Sequence, residues 1–541
     1  GNSASTTTQK IGVVFCGRPS SGAHSIVNGV LDFIVGANSS SKVLGFVGGT
    51  KGLFAQQYID VTPAMMDVYR NQGGFDLMGR TCDSIAKPEE MDSAKTSCMR
   101  LSLTGLVLVG GTRTATDAAY LSEFFTGQGV NTKVVAIPCS IDGTMKNQFI
   151  ETAVGFDTAS KTYSQLVGNL AIDGASARKY WYFMRMMGNS PSHTVLEVAL
   201  QTHANYILLS EDIIANRKSL NDVVTEIADS VCRRSDAGKN FGTLLIPEGA
   251  IAALPEFSVL IDEISNLYQT SEQSNITLEE VNAKLSPFAA ALLGSLPAYL
   301  QKQLVMERTT DKQIDLSQIE TEKLLAHFVE AEIKRRKAAG MFKGKFTPVC
   351  SYLGYQARCA LPSNFDCDYG YSLGGVSAAL ILGGFTGYMP AITGLKRPTA
   401  EWCVGATPIT AMLEADDVEK LPSGMVRPRV IPANISLSGP AYNSFLNNMK
   451  EYEAEEMYQN PGPVQFNGPT ADTRTKTLEL EDMDYISALT SLRDVMEEVK
   501  AVCAPGCSTN VLKMAYTSIS TLSEILELNA AATGVPLTRS K

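Results

Sequence analysis

The chain has 541 residues, of which 44% are hydrophobic and 19% charged, and its net charge is −10. This composition is typical of a globular protein, and one hydrophobic core rarely grows beyond about 250–300 residues, so the length predicts at least two domains. An acidic surface repels nucleic-acid backbones and anionic lipid, which argues against both as partners.

The 11 cysteines and 4 histidines are scattered along the chain without the spacing of a metal site, so a structural metal is not expected. We interpret the cysteines as reduced thiols of a cytoplasmic protein. Residues 1–10 are small and polar, which predicts a flexible lead rather than a signal peptide. No apolar run approaches the roughly 20 residues that cross a bilayer, so no membrane span is expected.

In chain order, the first half alternates short runs rich in Val and Ile with stretches of helical length. This pattern predicts a parallel sheet with helices on both faces. The predicted strands are Ile11–Phe15, Val43–Val47, Leu106–Val109, Lys133–Ile137, Tyr180–Met187, Tyr206–Ser210 and Thr243–Ile246.

Further along, strand signals disappear and apolar residues recur at helical spacing. Sheet-like segments return at Thr347–Leu353, Gly374–Gly384 and Gly387–Ile392, and the tail has a helical pattern. After the lead we therefore predict an α/β lobe over 11–256, a helical insertion over 257–340, a second α/β lobe over 341–470 and a helical C-terminal segment over 471–541.

Three glycine-containing loops each follow a predicted strand and open a helix: Cys16–His24, Gly110–Asp117 and Pro138–Asn147. Ligands of parallel sheets bind at the carboxyl ends of strands, and N–H groups at a helix N-terminus bind phosphate. Together the loops predict a phosphate crevice, and three ordinary turns are the alternative. Neither G-x-G-x-x-G nor a Walker lysine is present, so neither standard nucleotide fingerprint applies.

Asp142 in the third loop has two possible roles. Its carboxylate could accept the proton of a hydroxyl that attacks phosphorus. It could equally cap the N-terminus of a helix, a common role for aspartate. The local sequence does not separate these roles.

A longer series of motifs resembles the phosphofructokinase family, specifically its long pyrophosphate-dependent form, and the later motifs are most similar to the plant α, or regulatory, subunit. The resemblance runs from about Ile11 to Pro536. Besides the loops above it includes Gly48–Phe54, Asn71–Thr81, Gly155–Thr158, Met187–Gly188, Pro247–Gly249, Gly354–Arg358, Leu361–Tyr369 and Gly405–Thr410.

The resemblance implies two Rossmann-like parallel-sheet lobes of the phosphofructokinase fold, the first with the donor-site loops and the second with the sugar-phosphate site. It implies reversible, Mg²⁺-assisted transfer of a phosphoryl group from pyrophosphate to fructose 6-phosphate, with Asp142 as the candidate base. The implied sugar-binding residues are Ser140, Met187, Gly188, Glu248, Tyr355 and Arg358, and the implied donor-side residues are Gly17, Arg80 and Gly111. Without the resemblance, Arg358 could be a surface ion pair, Glu248 a cap and Tyr355 a core residue.

The donor side departs from the family pattern. The family's Gly-Gly-Asp-Asp is Gly-Gly-Thr-Arg here, its Lys-Thr-Ile-Asp-Gly-Asp is Cys-Ser-Ile-Asp-Gly-Thr, and its Met-Gly-Arg is Met-Gly-Asn. The diverged positions are Thr112, Arg113, Cys139, Thr144 and Asn189. Because Mg²⁺ prefers carboxylate and phosphate oxygens, we expect its site to be lost.

Three hypotheses follow. The chain is a regulatory or impaired subunit that binds a fructose phosphate and pairs with a catalytic homologue, or with copies of itself. Alternatively, it is an active, diverged enzyme that also binds pyrophosphate, in which Arg113 and Lys146 replace the missing positive charge. The third hypothesis is a structural protein on the same fold, which would bind no sugar phosphate.

Overall fold

The computed structural model describes residues 7–481 apart from 82–83, 189–190, 271–275, 307, 309–313 and 421–425, together with 503, 507–518 and 520. Contacts divide the chain into one unit over 1–481 and another over 482–541. In the second unit, residues 509–518 are helical, and most of the predicted helical tail lies outside the described residues. No helix of the described residues is long and apolar enough to cross a membrane.

The strands of the first unit are short. They are β1 Lys10–Phe15, β2 Lys42–Phe46, β3 Tyr58–Val61, β4 Gly105–Gly110, β5 Lys133–Pro138, β6 Trp181–Met186, β7 Tyr206–Ile207, β8 Gly242–Pro247, β9 Pro348–Leu353, β10 Tyr388–Thr393, β11 Cys403–Pro408, β12 Leu413–Lys420 and β13 Val426–Val430.

Helices fill most of the connections between these strands. They are α1 Ala23–Ala37, α2 Thr50–Ala55, α3 Pro63–Tyr69, α4 Pro88–Arg100, α5 Thr112–Gly127, α6 Phe156–Ala177, α7 His193–Thr202, α8 Ser210–Ala215, α9 Leu220–Asp236, α10 Ala250–Ala253, α11 Pro255–Thr270, α12 Leu278–Lys284, α13 Pro287–Ser295, α14 Ala298–Met306, α15 Thr321–Ala338, α16 Tyr355–Arg358, α17 Asn364–Leu382, α18 Pro440–Ala454 and α19 Lys476–Leu480.

The first sheet has the order β11-β10-β5-β4-β1-β2-β3. Its five central strands are parallel, and β3 and β11 pair antiparallel at the two edges. The chain runs from β1 to β2 on one side and then returns to β4 on the other. The carboxyl ends of β1 and β4 therefore border the topological switch point, where ligands of such sheets bind.

The second sheet, of order β7-β8-β6-β9, is parallel throughout. The central strand β6 lies between β8 and β9, so the loops that follow these three strands are neighbours. The helices α11 to α15 lie between β8 and β9 in the chain and share a hydrophobic core with one face of this sheet.

Burial on both faces explains the continuous apolar runs of the central strands. In β4, Val107 and Val109 belong to the core on one face, and Leu106 and Leu108 belong to the core on the other. All four side chains are fully buried. Each predicted strand of the first half is confirmed to within three residues at either end.

One predicted sheet-like segment is wrong. Gly374–Gly384 lies mostly in α17, which packs along α1. A Cβ at Gly374 would stand 2.2 Å from the Ile26 carbonyl oxygen, and one at Gly29 would stand 2.1 Å from the Tyr371 carbonyl oxygen. These glycines allow two helix backbones to approach closely. In the sequence alone, they cannot be distinguished from the glycines of turns that border strands.

Candidate functional site

Loops that follow strands of the two sheets contact each other, and we call the region between them the crevice. Arg358 Nη1, after β9, donates to the Pro19 carbonyl in the loop after β1, over 3.2 Å. Thr194 Oγ1, after β6, donates to the Ile141 carbonyl in the loop after β5, over 3.4 Å. Loops far apart in the chain are therefore held together at the switch point of the first sheet.

Met187, Gly188 and Glu248 form one wall of this crevice. The Met187 N–H donates to the Leu353 carbonyl over 2.9 Å, and the Gly188 N–H donates to Glu248 Oε2 over 3.1 Å. Glu248 is only 3% exposed, and burial raises its pKa, although the charge of Arg18, the Gly188 N–H and Arg358 oppose this effect. The structure thus fixes one carboxylate oxygen and leaves Oε1 to accept hydroxyl groups.

Arg358 is a buried guanidinium with an unusual set of partners. It is 6% exposed, and its Nε lies 2.6 Å from Met187 Sδ. Within the described residues, no carboxylate lies at ion-pair distance from it. Burial, followed by the nearby charge of Arg18, lowers the pKa of Arg358. Tyr355, one helical turn earlier, is 58% exposed. A buried cation without a counter-ion has a strong affinity for an anion.

Asp142 lies beyond the end of β5, and two neighbouring hydroxyl groups donate hydrogen bonds to its carboxylate. Its Oδ1 accepts hydrogen bonds from Ser140 Oγ over 2.6 Å, from Thr144 Oγ1 over 2.7 Å and from the Thr144 N–H over 3.2 Å. In the described part of the chain, Oδ2 accepts none. This geometry orients the carboxylate and keeps one oxygen able to take a proton from a ligand hydroxyl.

The donor-side residues cluster around the ends of β1 and β4. Arg80 is exposed, and its Nη1 donates to the Gly17 carbonyl over 3.3 Å. Gly111 lies beside Ser140, because a Cβ added there would be 3.8 Å from Ser140 Cβ. Thr112 begins α5, and Arg113 is exposed in its first turn.

Two diverged positions contribute no charge to this edge. Cys139 is 2% exposed within the core of the first sheet, and burial raises the pKa of its thiol, so it stays neutral. Thr144 is also 2% exposed and uses its hydroxyl on Asp142. The third diverged position of this kind, Asn189, lies outside the described residues.

Lys146 has an acidic environment of its own. Its Nζ forms an ion pair with Glu481, and both side chains are largely buried. Burial lowers the pKa of Lys146 to about 8, although the charges of Glu197 and Glu151 oppose this. The backbone N–H groups of Lys476 and Thr477 donate to Glu197, which anchors the same segment beside it. Lys146 therefore connects the loop after β5 to the end of the first unit.

The donor side does not fit a Mg²⁺ ion. Octahedral Mg²⁺ sites in proteins use carboxylate oxygens together with substrate phosphates. Here the position offers the Thr112 hydroxyl beside the positively charged Arg113. Among the described residues, no group of three or more His, Cys, Asp and Glu side chains could hold a metal ion.

Comparisons with known proteins agree with this architecture. The Phosphofructokinase family model matches residues 10–381. Subunit alpha 1 of pyrophosphate–fructose 6-phosphate 1-phosphotransferase from Arabidopsis thaliana is 41% identical over 522 residues, 96% of this chain and 84% of that protein. The chain belongs to the phosphofructokinase family. The predicted resemblance and the predicted α/β fold are both confirmed.

Both subunit types of that enzyme are relatives of this chain. Subunit beta from Solanum tuberosum is 38% identical over 483 residues, 89% of this chain and 84% of that protein. The solved pyrophosphate-dependent phosphofructokinase from Nitrosospira multiformis superposes with a TM-score of 0.52 at 13% identity, over 87% of this chain and 97% of that one. At this identity the structural match shows the fold alone.

Sequence reasoning missed several residues of the phosphofructokinase crevice. Arg18 bridges Glu248 and Asp315, and Arg185 donates to Glu322 Oε2 over 2.5 Å. Asp315 and Glu322 belong to the helical insertion, about 300 and 140 residues away from their respective partners. Arg18 lies in the loop Cys16–His24 and is the only charged residue of that loop, a signal that could have identified it. Asp315 carried no local signal.

Proposed function

We propose that this chain binds fructose 6-phosphate as a regulatory or catalytically impaired subunit of pyrophosphate-dependent 6-phosphofructokinase. Arg358 and Tyr355 bind the 6-phosphate, Glu248 accepts sugar hydroxyl groups, and Met187 and Gly188 line the sugar. Ser140 and Asp142 face the hydroxyl that receives the phosphoryl group in the family. The relatives named above, which are subunits of that enzyme, support the assignment of the substrate.

One observation carries the proposal: within the described residues, no carboxylate lies at ion-pair distance from the buried Arg358 guanidinium. A structural arginine at this depth normally has a counter-ion, because an isolated buried charge is costly. A phosphate dianion would supply the missing charge and accept two parallel N–H bonds from the planar guanidinium. The exposed Tyr355 hydroxyl could add a further donor.

The donor side supports the impaired role. Phosphoryl transfer depends on electrostatic stabilisation of the transferring group, and one missing contact commonly costs about 3 kcal/mol. Here a neutral buried thiol, Cys139, stands where the family has lysine. Thr112 and Thr144 stand where it has carboxylates. Lys146, which could have compensated, is paired with Glu481.

A chain with this division of functions would work with a second chain. We propose a cytoplasmic oligomer, either of copies of this chain or with a homologue that carries Gly-Gly-Asp-Asp and Lys-Thr-Ile-Asp. Binding of the sugar phosphate here would then shift the affinity of the partner's site by linkage. The Mg²⁺ used by the family would be held by that partner.

The purified chain alone tests this proposal. With fructose 6-phosphate at 100 times its Kd, we expect its stability to rise by about 2.7 kcal/mol, measured by thermal denaturation. With pyrophosphate and Mg²⁺ added, we expect no turnover in a coupled assay. Addition of a homologous chain with the intact donor motifs should restore turnover.

A second candidate is an active, diverged enzyme, and the available Oδ2 of Asp142 favours it. It predicts turnover by the isolated chain with pyrophosphate, ATP or polyphosphate, and loss of that turnover in Arg113→Ala. Brisk metal-dependent turnover by the isolated chain would refute the impaired role. If fructose 6-phosphate has no effect on stability, binding itself is refuted and a structural role gains support.

A further inference from the structure

Arg18 connects the proposed sugar site to the helical insertion. It lies in the loop after β1 with 31% of its side chain exposed. Its Nη1 is 3.7 Å from Glu248 Oε1, and its Nη2 donates to Asp315 Oδ1 over 2.7 Å. Arg18 thus contacts both the insertion and the carboxylate that we propose for the sugar hydroxyls.

Glu248 needs a dedicated cation in order to stay ionised at 3% exposure. The positive charges of three guanidinium groups act on it: Arg18, Arg358 and Arg185. Arg185 already binds the buried Glu322, and in our proposal Arg358 binds the phosphate. Among the described residues, Arg18 is the cation at ion-pair distance from Glu248, at 3.7 Å, and its second Nη atom is the one that Asp315 binds.

The neutral groups around Glu248 cannot take this role. The hydroxyls of Tyr163 and Tyr352 also face the carboxylate, and burial raises the pKa of both, so neither carries charge near neutral pH. Arg18 itself faces Glu248, Asp315 and Tyr355, and although burial opposes it, the two carboxylates raise the pKa of Arg18 above its usual value. It is therefore charged throughout the pH range in which Glu248 titrates.

The distance between Arg18 and Glu248 is informative. At 3.7 Å the two groups attract each other without a hydrogen bond, so Oε1 keeps its lone pairs for a ligand. Asp315 holds Arg18 in this position, and is itself fixed by hydrogen bonds from Ser317 Oγ over 2.6 Å and from the Ser317 N–H over 3.1 Å. The Arg18 Nη2 also donates to Ser317 Oγ over a longer 3.4 Å, so without Asp315 only this weaker contact would oppose movement of the guanidinium onto Oε1.

We propose that Arg18 is a positioning residue of the sugar-phosphate site: it balances the charge of Glu248, and Asp315 of the insertion holds it back from the oxygen that binds the sugar. This inference rests on the proposed function. If Asp315 has this role, the helical insertion contributes to sugar binding as well as to the hydrophobic core of the second sheet.

Two substitutions separate the two parts of this arrangement. Arg18→Gln removes the cation, which raises the pKa of Glu248 further, so binding should weaken progressively as the pH falls. Asp315→Ala leaves the cation but removes the oxygen that holds it, which releases it toward Oε1, so binding should weaken by a similar factor at every pH. A merely structural role of Arg18 would give both variants the same pH dependence as the wild type.

The measurement is the Kd of fructose 6-phosphate by calorimetry between about pH 6 and about pH 8.5. The Kd of each variant is divided by the Kd of the wild type at the same pH, which cancels the effect of titration of the ligand's own phosphate. We expect Arg18→Gln to bind about 10-fold more weakly at pH 7, with a deficit that grows toward acid pH. Arg18→Lys should restore most of the affinity, because it keeps the charge.

Arg233→Gln is the matched control. Arg233 is a surface arginine outside the crevice, and 58% of its side chain is exposed. Its Nη2 lies 2.6 Å from Glu453 Oε1. This variant should bind as the wild type does. Wild-type affinity in Arg18→Gln, or an equal loss in Arg18→Lys, overturns the inference alone. A wild type that does not bind fructose 6-phosphate overturns the proposed function together with it.

Discussion

Replacing Arg358 by glutamine should weaken fructose 6-phosphate binding by at least about 30-fold, because loss of one member of a buried charged pair costs roughly 2–5 kcal/mol. The guanidinium is 6% exposed, and only the Met187 sulfur and the Pro19 carbonyl contact it as acceptors within the described residues. A glutamine amide can replace one of these contacts but carries no charge for a phosphate. Calorimetric titration with fructose 6-phosphate measures the effect.

The same substitution should leave the unliganded fold intact. Burial already disfavours the charged form of Arg358, so the shorter, neutral glutamine side chain removes a cost while it removes one hydrogen bond. We expect the free energy of unfolding to stay within about 1 kcal/mol of the wild type or to rise. This combination of lost binding with retained stability is typical of a ligand-binding residue and untypical of a structural one.

Tyr355→Phe should weaken fructose 6-phosphate binding less than Arg358→Gln does, and serves as its control. Tyr355 is 58% exposed, so its hydroxyl competes with water for the phosphate and contributes less. We expect a loss of affinity of about 3- to 10-fold, as for one hydrogen bond to a charged group near solvent. Undiminished binding in Arg358→Gln would show that the phosphate, if it binds, lies elsewhere.

The parallel strands could be predicted from the sequence because their environment is simple. A strand buried on both faces needs apolar residues at every position, and the runs at β1, β4 and β5 have this composition. The edge strands β3 and β11 were missed, since each pairs on one side only. In β11, five of the six residues are exposed, which leaves no apolar pattern to detect.

The placement of the proposed ligand-binding residues was predictable where they follow strands directly. Glu248 and Arg358 both come within a few residues of a strand end, and the structure brings both to the crevice. The contacts of Arg18 were not predictable, because Asp315 is 297 residues away in the chain and lies in a segment with an ordinary helical pattern. Local sequence carries no record of a contact that only the tertiary fold creates.

Asp366→Ala should be the most destabilising single change near the crevice. Asp366 is fully buried, and its carboxylate accepts hydrogen bonds from the Gly155 N–H over 2.8 Å, the Thr158 N–H over 2.9 Å and Thr158 Oγ1 over 2.5 Å. Truncation leaves three buried donors unsatisfied, so we expect a loss of at least about 3 kcal/mol in urea unfolding.

Asp60→Ala is the control for Asp366→Ala. Asp60 is 54% exposed and pairs with Lys42 at 3.6 Å, so its removal should cost less than about 1 kcal/mol. Equal losses in the two variants would contradict the role of buried hydrogen bonds. A second readout is the Kd of fructose 6-phosphate, because the Val154 carbonyl, next to Gly155, accepts from the Ser140 N–H over 3.0 Å and from Ser20 Oγ over 3.0 Å.

Protonation of Asp366 should make the stability of the fold depend on pH. Burial, and then the charge of Asp157, raise the pKa of Asp366 to about 7, whereas the unfolded chain has an ordinary value. The folded state therefore holds the proton more tightly, and its stability falls as the pH rises toward 7. Between about pH 5 and about pH 8, the wild type should lose roughly 2–3 kcal/mol more than Asp366→Asn, which cannot titrate. Parallel curves would show that Asp366 stays ionised in the fold, held by its three donors alone.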